Sequence, residues 1–142
     1  MKLVIISICL LVTGFQFFLD YLDYKNRNAP LPDNVKDVYD SETYAKRNAY
    51  EMENLRLSTI SGICSLCLAL TFLIFNFHSY LFGLGEHFTN NVYFQTYFML
   101  GIIMVINLLT SMPFNVISTF KIEEKYGFNR TSAKTFIIDT IK

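Results

Sequence analysis

Three long stretches of this chain contain no Asp, Glu, Lys or Arg, and this absence of charge limits most strongly how the chain can fold. The stretches are residues 3–19, 58–82 and 92–112. A helix needs about 20 apolar residues, within a range of roughly 17–25, to cross a bilayer core. Only a helix satisfies its own backbone hydrogen bonds there. The pattern predicts an all-α membrane protein with about three transmembrane helices over these ranges, and the lipid bilayer is its first expected partner.

The distribution of charge excludes several other classes of protein. Between Leu57 and Lys121 the only formally charged residue is Glu86, and charged residues make up 17% of the chain, against about 25% in a typical soluble domain. An ordinary globular enzyme with a charged surface is therefore excluded. The 14 Phe and 9 Tyr exclude disorder, because these side chains would not stay solvated. The 12 Lys and Arg are balanced by 12 Asp and Glu, so no basic excess indicates nucleic acid.

The first apolar stretch has an alternative interpretation as a cleaved secretory signal peptide. Lys2 followed by a short apolar run is typical of such signals. Two features favour a retained span instead. No small-x-small cleavage site follows Phe18 and Leu19, and the basic residues that come next oppose translocation. The second and third stretches are too long for buried helices of a soluble core, and they have no polar face.

The distribution of Lys and Arg predicts the orientation of the spans. The connection over residues 20–57 carries six of them, the tail over residues 113–142 carries five, and residues 83–91 carry none. The positive-inside rule places the two basic stretches in the cytosol, so the N-terminus lies on the lumenal or outer side. The tail contains the glycosylation pattern Asn129-Arg130-Thr131. We expect that site to remain unmodified if the tail is cytosolic.

The connections are also expected to be helical. We predict cytosolic helical segments at residues 42–57, 114–126 and 132–142. The first should continue into the second span as one helix over 42–82, because Gly62 is its only Gly and it contains no Pro. Local signals then mark the ends of the predicted helices: Gly83–Gly85 end the long helix, Thr89 or Asn90 caps the third span, Pro113 ends or kinks it, Gly127 stops the next segment, and Thr131 or Ser132 caps the last.

Few residues in this chain could carry chemistry. His78 and His87 have no carboxylates at metal-ligand spacing, and the pair Cys64 and Cys67 lies inside an apolar run, where packing between helices is the favoured interpretation. No catalytic residue and no metal ligand is therefore predicted. Four polar residues within or near the third span should face protein or a water-filled cavity, because an unpaired amide in lipid is costly: Gln95, Thr96, Asn107 and Thr110.

The C-terminal part of the chain resembles a known family. Residues 113–142 contain Pro-Phe at the start, STFKIEEKYGFNR over 118–130, then Phe136 and a final DTIK. These strings, together with FLDYLD over 18–23 and YAKRNAY over 44–50, resemble the N-terminal membrane domain of the type I CAAX prenyl proteases, the a-factor-converting or farnesylated-protein-converting enzymes. The resemblance covers nearly the whole chain. The matching residues without an assigned role are Pro113, Phe114, Phe120, Glu123, Glu124, Gly127, Phe128 and Asn129.

The resemblance implies a function that this chain would not perform alone. Members of the family are zinc metalloproteases of the endoplasmic reticulum and inner nuclear membrane that cleave prenylated CAAX proteins. Their spanning helices form a large chamber, and their zinc ligands lie in a His-Glu-x-x-His helix and a later Glu. This sequence contains no His-Glu-x-x-His motif. We therefore expect residues 1–142 to be one membrane domain without its catalytic zinc domain, without zinc of its own and inactive alone.

Two roles follow for such a chain. In the first, it forms part of the chamber wall and positions the catalytic half of the protease. In the second, it is a standalone three-span scaffold or regulator of a full-length protease. The expected partners are the missing catalytic half or a full-length protease, and prenylated CAAX proteins as the substrates of the family.

Overall fold

The computed structural model describes residues 1–27 and 41–141, and every regular element within those ranges is a helix. The elements are α1 (Lys2–Asn26), α2 (Ser41–Ile74), α3 (Phe77–Glu86), α4 (Val92–Ile117), a π-helix (Ser118–Glu123), α5 (Glu124–Tyr126) and α6 (Ala133–Ile141). Lys142, the last residue of the predicted segment 132–142, lies outside the described residues, as do residues 28–40 of the basic connection.

Three of the helical stretches are long and apolar enough to cross a membrane. They are Lys2–Asn26, Glu42–Ile74 and Val92–Tyr126. The predicted all-α fold with three spanning helices is therefore confirmed. The first and third helices extend past the charge-free stretches and continue into the charged residues on their C-terminal sides.

The first two spans form an antiparallel pair that polar contacts join at both ends. At one end, Lys2 Nζ donates to the Ile74 carbonyl at 2.8 Å and to Asn76 Oδ1 at 3.0 Å. At the other end, Arg27 Nη1 lies 3.1 Å from Glu51 Oε2, and Asn48 Nδ2 donates to the Arg27 carbonyl at 3.3 Å. The two helices are thus held in register along their length.

The prediction of a single helix over residues 42–82 is wrong, because the helix breaks at Asn76. This residue has φ 52° and ψ 36°, in the left-handed region, which Asn reaches more readily than most residues. The last carbonyls of a helix lack partners and carry partial negative charge, and here Lys2 supplies the donor. The residues expected to end the long helix, Gly83–Gly85, lie inside α3 instead.

Gly85 allows α3 to approach α4 closely. A Cβ built on Gly85 would lie 3.0 Å from Gln95 Cα, a distance at which the two backbones would have to separate. Leu81, one turn earlier, is 3% exposed, and Gln95 is 4% exposed. The glycine therefore serves helix packing rather than helix termination.

The third span is one continuous helical stretch rather than two segments divided at Pro113. Asn91 caps it, in place of the expected Thr89 or Asn90, and its Oδ1 accepts from Tyr93 N at 2.9 Å and Phe94 N at 3.4 Å. Near Pro113, the Ser111 hydroxyl donates to the Leu108 carbonyl at 3.1 Å.

The two last boundary predictions are confirmed. Gly127 adopts φ 76°. Its N–H donates to the Glu124 carbonyl at 3.1 Å, and the Phe128 N–H donates to the Glu123 carbonyl at 2.8 Å. This is a Schellman cap, which satisfies carbonyls that the helix leaves free. Ser132 Oγ accepts from Thr135 N at 3.2 Å at the start of α6.

Candidate functional site at the end of the third span

The charged first half of α2 packs against the C-terminal part of the third helical stretch and the turn that follows it. We call this contact the junction cluster, and its members are Tyr50, Glu53, Asn54, Ser118, Ile122, Lys125, Tyr126 and Phe128. Ile122 is 6% exposed and Tyr126 is 9% exposed, so this contact contains two of the few buried side chains among the described residues. The cluster fixes how the second and third spans are placed relative to each other.

Glu53 is the polar centre of the junction cluster. The Tyr126 hydroxyl donates to Glu53 Oε1 at 3.1 Å, and Lys125 Nζ donates to the same oxygen. Both charged residues lie outside the charge-free stretches. The hydrogen bond from Lys125 lowers the pKa of Glu53 below its ordinary value, and the same bond raises the pKa of Lys125. The pair is therefore ionised at neutral pH.

Aromatic rings form the apolar side of the junction cluster. The Tyr50 ring lies edge-on to Tyr126, with centroids 5.6 Å apart, and edge-on to Phe128 at 4.9 Å. Edge-on pairs of this kind are favoured by the charge distribution of the rings. Lys46 Nζ lies 5.8 Å from the Phe128 centroid. A polar contact completes the cluster, since the Ser118 hydroxyl donates to Asn54 Oδ1 at 3.3 Å.

A polar pocket of about 490 Å³ lies between the end of the third span and α6. Phe120 and Phe136 pack edge-on at 5.3 Å and hold α6 against this segment. The residues that line the pocket are Leu108, Asn115, Thr119, Glu123, Thr131, Phe136, Asp139 and Thr140. The pocket offers amide, hydroxyl and carboxylate groups but no nucleophile paired with a base.

The residues that carry the family resemblance fall into four places. Pro113 and Phe114 lie inside α4, and Phe120 packs on α6. Glu123, Gly127, Phe128 and Asn129 form one turn, in which the Glu123 carbonyl accepts from the N–H groups of Phe128 and Asn129. Asn129 Oδ1 accepts from Thr131 N at 2.7 Å. Glu124 is exposed at the start of α5. Their individual roles stay predictions.

Sequence reasoning missed the partners that α2 contributes to the junction cluster. Tyr50, Glu53 and Asn54 are spaced three and four residues apart, which places them on one face of a helix. That spacing was the available signal. It did not indicate which other segment this face contacts.

The polar residues of the third span have different surroundings. Gln95 contacts protein, as expected, and its Nε2 donates to the Thr89 carbonyl at 2.9 Å. Thr96 and Thr110 donate to carbonyls one turn back in their own helix, at 2.9 and 2.8 Å. Asn107 is exposed. Only Gln95 is thus fixed against another element.

The described residues do not fit a zinc site. Within 1–27 and 41–141, no three His, Cys, Asp or Glu side chains come close enough together to hold a metal ion. The His78 ring lies edge-on to Phe72 at 5.7 Å, in a packing contact. Cys64 and Cys67 are free and exposed. We therefore derive no catalytic step through a metal in this chain.

Comparison with known proteins identifies the family. A family model described as the CAAX prenyl protease N-terminal region, with five membrane helices, matches residues 20–142. This chain belongs to that family. The resemblance inferred from the sequence strings is confirmed, and residues 1–27 and 41–141 contain three helices of spanning length where the family description gives five membrane helices.

Curated CAAX prenyl proteases and a crystal structure agree with this assignment. The chain is 26% identical to CAAX prenyl protease 1 of Saccharomyces cerevisiae over 152 residues, and 30% identical to the human CAAX prenyl protease 1 homolog over 119 residues. These alignments cover 99% and 79% of this chain. It superposes on the crystal structure of S. mikatae Ste24p with a TM-score of 0.88 and 28% identity, over 99% of this chain. The chain spans 34% of the yeast protein, 25% of the human protein and 34% of the S. mikatae structure.

Proposed function

We propose that this chain is the membrane-embedded N-terminal part of a CAAX prenyl protease, where it forms part of the chamber wall and positions the catalytic half. The observation that carries the proposal is the likeness to Ste24p over 99% of this chain, at a TM-score of 0.88. The activity belongs to the assembled protease. Prenylated CAAX proteins are its proposed substrates, and zinc is the proposed cofactor of the half that carries His-Glu-x-x-His.

The proposed location is the endoplasmic reticulum membrane, with the N-terminus in the lumen and residues 20–57 and 113–142 in the cytosol. This orientation rests on the distribution of Lys and Arg. It places the junction cluster and the polar pocket on the cytosolic side, where a prenylated protein would arrive.

The proposed mechanical role rests on the junction cluster. It joins α2 to the end of the third span through an ion pair, a tyrosine hydroxyl and three aromatic rings. The rate of a catalysed reaction depends on the position of the catalytic groups, and misplacing them by about 1 Å can reduce the rate roughly 100-fold. A rigid connection at this end of the spans would hold the catalytic half in place.

Complementation tests the proposal. The chain is expressed in yeast lacking its own CAAX prenyl protease, together with the yeast protease from which the matching N-terminal region has been removed. We expect zinc-dependent cleavage of a farnesylated CAAX peptide by membranes that contain both pieces, and none from either piece alone. Cleavage by this chain alone, or full activity of the truncated protease alone, would contradict the proposal.

The alternative role, a standalone three-span scaffold or regulator, differs in one outcome. A regulator would copurify with the intact yeast protease and change its rate without restoring activity to the truncated one. The same membranes, prepared with intact protease, distinguish the two roles.

A further inference from the structure

A groove of about 520 Å³ runs along the contact between α1 and α2. The polar contacts at Lys2 and at Arg27 join the two helices beyond its two ends. Its lining residues are Ile8, Cys9, Val12, Thr13, Gln16, Phe17 and Asp20 on α1, and Ser58, Gly62, Ser65, Leu66 and Ala69 on α2.

The floor of the groove is mostly apolar. Its half-buried residues are Cys9, Thr13 and Phe17 on α1 and Gly62, Leu66 and Ala69 on α2, spaced three or four residues apart as on one helix face. Small residues on α2 keep the groove open. A Cβ on Gly62 would be in ordinary van der Waals contact with Phe17 Cε1, at 3.4 Å, and Ser58 and Ser65 form an exposed rim.

One end of the groove is polar. Gln16 Nε2 donates to Asp20 Oδ1 at 3.0 Å, beside Ser58. By the distribution of Lys and Arg, this is the end nearer the cytosol. From Ile8 to Asp20 the groove follows α1 for about 18 Å, at ~1.5 Å per residue. The feature is thus a long apolar slot with hydrogen-bonding groups at its cytosolic end.

We propose that this groove binds the isoprenoid chain of a prenylated CAAX protein, with the peptide end beside Gln16 and Asp20. The inference rests on the proposed function, which supplies a prenylated substrate. A chain of about fifteen carbons needs at most roughly 450 Å³ if each carbon takes no more room than a water molecule, ~30 Å³. That volume fits the groove.

Photocrosslinking tests the site without requiring proteolysis. The 142-residue chain is reconstituted in phosphatidylcholine nanodiscs with a farnesylated CAAX peptide that carries a diazirine on its last isoprene unit. We expect adducts on α1 between Ile8 and Phe17 and on α2 between Gly62 and Ala69. Excess farnesylated peptide should reduce them at least fivefold, while the same peptide without the isoprenoid should not.

Two neighbouring variants provide the matched control. Ser65→Leu fills the rim of the groove and should reduce the adducts at least fivefold. Cys64→Leu adds similar bulk one residue away, at an exposed position that does not line the groove, and should leave them unchanged.

Three results would overturn the site: adducts spread over α3 and α4, equal adducts in both variants, or equal adducts from a phospholipid that carries the same diazirine on its acyl chain, which would make the groove a lipid site. Any of these can occur while complementation still succeeds. Failure of this inference is therefore distinguishable from failure of the proposed function.

Discussion

Tyr126 is the residue at which the contacts of the junction cluster converge. Its ring is buried against Tyr50, and its hydroxyl shares the Glu53 carboxylate oxygen with Lys125. An exposed ion pair on its own contributes little to stability. Here the pair adjoins a buried ring, so the charges orient an apolar contact as well as attract each other.

The ion pair predicts a specific dependence of stability on pH. The pKa of Glu53 is lower in the folded chain than in the unfolded chain, because Lys125 donates to it. The stabilising effect is therefore fully present above the ordinary Glu pKa of about 4.3 and is lost as the pH falls through the lower folded-state pKa. We expect the midpoint of thermal unfolding in detergent to fall less steeply between pH ~5 and ~3 in Lys125→Met than in the unchanged chain.

Lys121→Met is the matched control for this measurement. Lys121 is an exposed lysine of the same helical segment and is not a member of the junction cluster. Its variant should keep the slope of the unchanged chain. An identical slope in all three proteins would show that the pair does not couple to folding.

At the scale of helices, a glycine allows α3 and α4 to approach each other closely. Gly85 meets Gln95 backbone to backbone, and Leu81 is buried on the same face. Bulk at this contact would have to be accommodated by moving a whole helix, because packed interiors have few voids.

Two glycines in α3 provide a direct test of this contact. Gly85→Val should destabilise the chain by about 1–3 kcal/mol, the usual cost of overpacking, and lower the temperature at which it remains monodisperse in detergent. A Cβ added at Gly83 would meet no described atom within 4 Å, so Gly83→Val should have a much smaller effect although the change in helix propensity is the same. Equal losses in the two variants would show that the effect does not depend on the contact between Gly85 and Gln95.

The sequence predicted those helical features that depend on local chemistry. Charge-free length located the spans, and Gly127 and Ser132 marked boundaries because a left-handed glycine and a hydroxyl cap act within a few residues. The break at Asn76 was missed. Asn only tolerates the left-handed conformation, and a donor from Lys2, distant in the chain, completes the break.

The π-helix and the junction cluster were missed for a related reason. Pro113 predicted an end or a kink of the helix; α4 does not end there but continues to Ile117, and a π-helix follows at Ser118–Glu123. Tyr50 and Glu53 contact Tyr126 only because α2 and the third span have one particular rotation relative to each other. A single sequence contains no direct signal for that rotation.

At the scale of the molecule, the chain has very little interior. Its buried hydrophobic residues among those described are Phe72, Leu81, Ile122 and Tyr126, and none of the residues of α1 is buried. Most of the apolar surface must therefore face lipid or further protein. This agrees with a chain that spans about a third of the length of its relatives.

The orientation of the whole molecule can be tested with sugars. An Asn-x-Thr acceptor is placed on a flexible N-terminal extension, and the chain is synthesised in the presence of microsomes. We expect the extension to be glycosylated, because the N-terminus is predicted to be lumenal, and Asn129 to remain unmodified. Asn129→Gln is the control, because it should leave the gel mobility unchanged. A mobility shift that disappears in Asn129→Gln would reverse the proposed orientation.

The contact between Lys2 and the end of α2 has a consequence for biosynthesis. It joins residues 72 and 74 positions apart in the chain, so it cannot form until the ribosome has released most of the second span. The first helix is therefore complete long before this contact can close the helical hairpin, and a nascent chain that stalls before Asn76 would lack it.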